Sequence, residues 1–92
     1  MTNVNVSGET LAPLGGVGLD GKKLVYASAD KDAQNDTVTL TNADDVLVAQ
    51  VMVDDGSSDW AVDTFTIDAS TSNMINLTGA TTGTVHIQAI VR

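Results

Sequence analysis

The chain has 92 residues, four Lys and Arg against twelve Asp and Glu, a formal net charge of −8, 42% apolar residues and no cysteine. That length holds one domain with one core, and the lack of cysteine excludes disulfides, thiolate metal sites and cysteine nucleophiles. The acid excess opposes nucleic acid and anionic membrane surfaces, which select clustered Lys and Arg, and no apolar run approaches the roughly 18 residues of a membrane span.

Residues 1–22 carry five of the eight glycines and the single proline, Pro13. Their apolar residues follow neither a helical nor a strand period over any length, so the segment reads as an extended arm, with turns near Pro13 and at Asp20-Gly21 and a short strand at residues 3–7. Such an arm has no core of its own and is expected to be dispensable for folding of the body. Val4, Val6, Leu11, Leu14 and Leu19 are its candidate partner-binding residues, suited to an apolar groove or to the edge of another sheet. Gly16-Val17-Gly18-Leu19-Asp20-Gly21 matches the spacing of the dinucleotide-binding glycine motif. That motif works only between a strand and a helix whose N-terminus meets the pyrophosphate, and here a strand-like Lys23-Leu24-Val25-Tyr26 follows, so a glycine-rich connection is the reading. No basic stretch leading into an apolar one opens the chain, and a secretory leader is not expected.

From residue 23 to residue 92 the pattern is β. Twelve valines and twelve threonines in the chain supply the β-branched side chains that fit a pleated surface. Residues 24–29 form the first strand of this body. The next segment, residues 30–36, is acidic and places Asp30, Asp32 and Asp36 at positions of a calcium loop, but Asn35 stands where that loop wants Gly and Thr41 where it wants Glu. A solvated acidic turn is the expectation, and no metal or other cofactor is assigned. Residues 37–41 alternate Thr outward with Val38 and Leu40 inward. Residues 46–53 are almost continuously apolar, which suits a strand covered on both faces or one whose outer face meets another chain. From this run a homo-oligomer is expected, a trimer foremost.

Trp60 follows a polar turn, where it caps the core or presents an aromatic surface to a partner or a sugar. Residues 60–64 and 42–45 are the places where a helical turn fits. Alternation then marks strands at residues 64–69, 74–78 and 85–91. The only histidine, His86, falls beside Thr84 and Gln88 on the face opposite Val85, Ile87 and Ala89, a surface or interface position rather than that of a general base. Asp44-Asp45 and Asp54-Asp55 lie on turns, without an apolar pocket to separate their protonation states as a glycosidase pair requires. No nucleophile–base arrangement is legible, and an enzyme is not expected.

Turn signals about ten residues apart predict an all-β fold, a small antiparallel β-sandwich of about six or seven strands at residues 23–92 behind the arm of residues 1–22. The glycine-bearing arm, the Thr/Val-rich body and the closing Thr82-Gly83-Thr84-Val85-His86-Ile87-Gln88-Ala89-Ile90-Val91-Arg92 resemble small virion proteins of tailed bacteriophages, of the head decoration or cement type. The resemblance implies a non-enzymatic viral structural protein on the capsid surface of the virion. Its partners would be the major capsid protein or other virion subunits, with neighbouring shell subunits bridged and the shell stabilised. The alternative is a carbohydrate- or surface-binding β-module, a fibre or adhesin subunit, using Trp60.

Overall fold

The computed structural model describes residues 3–4, 6–14, 21–56 and 60–92, with side chains at all of these except 7–10, 13, 14 and 60. Nine strands are present among the described residues: β1 (Asn3–Val4), β2 (Val6–Leu14), β3 (Lys22–Lys31), β4 (Asp36–Thr39), β5 (Val46–Asp54), β6 (Trp60–Val62), β7 (Phe65–Ile67), β8 (Met74–Leu77) and β9 (Gly83–Val91). They form a four-stranded sheet, β1-β4-β8-β7, and a five-stranded sheet, β2-β3-β9-β5-β6. The two inner faces interlock as a sandwich. Val25, Ala27, Ala29, Val51, Val53, Val85, Ile87 and Val91 of the larger sheet are buried with Val38, Ile75 and Leu77 of the smaller, and Leu40 joins them. These are the residues that period-2 alternation turns inward. Deleting a side chain of this kind, as in Leu77→Ala, costs about 2–5 kcal/mol.

Seven of these strands, β3–β9, make up the body, within the six or seven expected there, and β1 and β2 belong to the N-terminal segment. Three features differ from the sequence expectation. Residues 60–62 form a strand, not a helical turn, because Trp60, Ala61 and Val62 pair with Asp54, Val53 and Met52 across a hairpin. The pairing of β1 with β4 is parallel, so the sandwich is not wholly antiparallel. The third concerns the N-terminal segment, which is extended as read but is built into both sheets: β1 is the edge strand beside β4, and β2 runs antiparallel to β3 from Val6↔Ala29 to Leu14↔Lys22. Val4 and Val6 pack against the core.

A β-bulge explains why β2 escaped a periodic reading. Its register shifts by one residue between Ser7 and Thr10, so Val6 and Leu11, an odd number of residues apart, lie opposite the inward-facing Ala29 and Val25. The shift also bends an edge strand away from a ready-made pairing edge, and Pro13 is tolerated there because an edge strand leaves one side without ladder bonds. A second shift, between Val46 and Val48 of β5, leaves Leu47 as the extra residue. It brings Val46 inward together with Val51 and Val53, although strict alternation would put it on the other face.

Where the chain changes sheets it is fastened by buried polar groups. Lys31 is 1% exposed at the inner end of β3, and its Nζ donates to Asp63 Oδ2 at 2.8 Å and to the Gly79 carbonyl at 2.6 Å. Asp63 sits at the corner between β6 and β7, where Oδ1 also accepts the Thr64 N–H at 3.1 Å. A β-carbon on residue 79 would run into the Asp63 carboxylate, which requires glycine there. At the β3–β4 corner the buried Asp36 accepts the N–H groups of Asp32 and Ala33 through Oδ2 at 2.9 and 3.1 Å, closing a turn in which Asn35 takes φ 70°.

Candidate interaction face

Twisted sheets present two faces, and the outer face of the five-stranded sheet is where this protein departs from an ordinary polar exterior. The registers of β3, β9 and β5 align its residues in rows across the strands. The first row is Leu24, Ile90 and Val48; the second is Tyr26, Gln88 and Gln50; the third is Ser28, His86 and Met52, extended by Val62 of β6. The fourth is Asp30, Thr84 and Asp54. Three rows thus contain no Asp, Glu, Lys or Arg, and the fourth is acidic. Val48 is 60% exposed, Val62 69% and Leu24 43%, and Tyr26 and Leu47 are exposed as well. Isolated apolar residues on a surface carry no message, but a contiguous set across adjacent strands is the usual mark of an interaction surface.

Two shallow concavities lie on this face. One, about 230 Å³, is lined by Tyr26, Gln50, Met52, His86 and Gln88. Its neighbour, about 190 Å³, runs along Leu24, Val48, Gln50, Gln88 and Ile90. Tyr26 and His86 face one another with ring centroids 6.1 Å apart and planes inclined by 25°, and the Tyr26 hydroxyl lies 2.6 Å from His86 Nδ1 in a hydrogen bond. The pair fixes two flat rings in the middle of the sheet. Flat rings beside amide groups suit contact surfaces that are partly apolar and partly hydrogen-bonding.

The residues singled out in the sequence do not gather into one site. Val4 and Val6 are half-buried against the core, and Leu11, opposite the buried Val25, is 42% exposed. Leu14 and Trp60 belong to β2 and β6 by backbone, and their side chains, like residue Leu19 and most of the glycine motif, lie outside what is described. Of the acidic loop, Asp36 is occupied by the N–H groups of its own turn, Asp32 is exposed, and Asp30 Oδ1 accepts the Thr84 hydroxyl at 3.4 Å. Among the described residues no three His, Asp or Glu side chains are grouped so as to hold a metal ion. No helix among them is long and apolar enough to cross a membrane.

Sequence reasoning missed the outer face as a unit. The signal was available: Leu24 and Tyr26 fall out of phase with the buried Val25, Ala27 and Ala29, so they must face away from the core. What could not be read is that β3, β9 and β5 stand side by side, since that order joins strands distant in the chain. No protein-family model matches the chain, and no curated protein or solved structure matches it.

Proposed function

We propose that the protein is a non-enzymatic structural component of a viral particle that decorates the capsid and stabilises it by bridging neighbouring shell subunits. The observation that carries this reading is the apolar outer face of the five-stranded sheet, in which Leu24, Val48, Val62 and Tyr26 are open to solvent in a single protomer. A protein of this size gives up stability by leaving such a face uncovered, which is reasonable when the protein acts in an assembled state. On a symmetric lattice, weak contacts repeated at many equivalent positions sum through effective concentration. The charge of −8 keeps unassembled copies apart and favours their approach to basic surfaces.

The test compares shells carrying the protein with shells lacking it, under heating and osmotic shock. Decorated shells should survive higher temperatures and stronger shocks. Equal robustness, or location only at a fibre tip, would overturn the reading.

A second reading is supported by the concavity of Tyr26, His86, Gln50 and Gln88, in which rings and amides lie together as they do where proteins hold sugars. In that case the protein is a carbohydrate-binding module, with this concavity in place of, or beside, Trp60. Saccharide titration followed by NMR should then shift the signals of these four residues at sub-millimolar concentration, and an unchanged spectrum eliminates it.

A further inference from the structure

We infer that the occupant of the outer face of the five-stranded sheet is the same face of a second copy, packed with its strands running in the opposite sense. The inference rests on reading that face as an interaction surface, and it supplies the bivalence that bridging needs.

Charge placement selects the arrangement. Along β3 the outward positions run Lys22, Leu24, Tyr26, Ser28, Asp30, a cation at one end, an anion at the other and no charge between. At the acidic end Asp54 lies in the same row as Asp30, two strands away. Two such faces can be brought together about a two-fold axis lying in the contact plane, and the axis has two natural directions. With the axis along the strands, β3 of one copy lies over β5 of the other and Asp30 meets Asp54 twice, a like-charge contact. With the axis across the strands, β3 lies over β3, and Lys22 of each copy meets Asp30 of the other. The second arrangement converts two repulsions into two attractions. It also centres the axis on the row of Tyr26, Gln88 and Gln50, so that Ile90 of each copy lies over His86 of the other and Val48 over Met52. Sheet twist sets the two strand directions about 30° from antiparallel.

The size of the face is compatible with a reversible dimer. Five strands spaced about 4.8 Å apart and some 27 Å of strand length give roughly 600 Å² per copy. About 1,200 Å² in total is the lower end of specific interfaces, which puts dissociation in roughly the micromolar range. Each dimer then carries two four-stranded sheets on its opposite outer sides, two equivalent surfaces for two neighbours.

Sedimentation equilibrium on the full chain between micromolar and millimolar concentration tests the inference. Twice the protomer mass of 9.5 kDa is expected at the upper end. A persistent monomer or a trimer overturns it. Val48→Glu and Leu24→Glu, at positions already open to solvent, should each weaken dimerisation by at least about 100-fold by burying an unpaired carboxylate in the contact, over Met52 and Ser28 of the other copy. Circular dichroism of each variant checks that the fold is retained, and retained dimers of both folded variants overturn the assignment of this face. Lys22→Glu and Asp30→Lys should each weaken the dimer about tenfold through two symmetric contacts, and the double variant should recover it. If Asp30→Lys tightens the dimer instead, the strands run in the same sense and the inference is wrong. Shell stabilisation without dimers, or dimers without shell stabilisation, separates this inference from the proposed function.

Discussion

Lys31 and Asp63 form an ion pair in a place where either alone would be intolerable. Lys31 continues the inward phase of Val25, Ala27 and Ala29, and a lysine there can be accommodated only because the Asp63 carboxylate and the Gly79 carbonyl accept hydrogen bonds from its ammonium. A buried pair of this kind adds little net stability over apolar residues of the same shape, but removing one partner strands the other. Lys31→Met and Asp63→Asn are each expected to cost about 3–5 kcal/mol in denaturant unfolding, whereas Lys31→Met combined with Asp63→Leu should recover much of the loss. Equal losses in the single and double variants would mean that the Thr64 N–H and Gly79 contacts, not the ion pair, hold the corner. Gly79→Ala should be comparably damaging, since its methyl would displace the Asp63 carboxylate.

At the scale of elements, regular alternation was legible and its interruptions were not. Residues 24–29, 37–40 and 85–91 turned the expected side chains inward, because in unbulged strands the pleat alone decides the face. β2 and β5 each carry one extra residue, and a period-2 reading loses its phase at such a point. For β5 the consequence was a run that looked apolar on both sides; in the fold it is Val46, Val51 and Val53 inward and Val48 and Met52 outward. Pairing between distant strands, such as β1 with β4, has no local sequence signal at all. The inclusion of β1 and β2 changes what a truncation should do. Removing residues 1–14 takes an edge strand from each sheet and uncovers the Val25 and Val38 flanks, together with the packing of Val4 and Val6. In a domain whose total stability is about 5–15 kcal/mol, the shortened chain is expected to lose its cooperative unfolding transition. A sharp thermal transition in residues 15–92 would return the segment to the role of a dispensable arm. Deleting Leu47 alone removes the bulge and leaves Val46 opposite Val91 on the inner face by plain alternation, so in denaturant unfolding it should cost less than the roughly 1.5–3 kcal/mol that uncovering such a side chain would.

For the molecule as a whole, acidity acts on folding and on association in opposite directions. Asp68 and Asp45 have carboxyls held below the ordinary range. Asp68 is held there by the Asn76 amide, followed by the N–H groups of Thr71 and Ser70; Asp45 is held by the Ser72 hydroxyl, followed by Arg92. A carboxyl whose folded pKa lies below its unfolded value contributes stability above the unfolded value of about 3.9, and that contribution disappears as pH falls through the folded value. Folding should therefore weaken progressively below about pH 4. Over the same descent the net charge of −8 is titrated away towards the isoelectric point near 4.1, and repulsion between copies fades. Association should strengthen as pH falls from about 5 towards 4, where the carboxylates take up protons, while the thermal midpoint of the protomer barely falls; below pH 4 the midpoint should drop, and exposed core should turn association into aggregation. Asp68→Asn and Asp45→Asn should flatten the acid limb of the stability curve without moving the association limb, because both residues lie away from the outer rows of β3, β9 and β5. Thermal unfolding and light scattering across a pH series at fixed ionic strength measure the two limbs separately. If the variants shift both limbs together, folding and association share the same carboxylates, and charge on the outer face does not govern how copies meet.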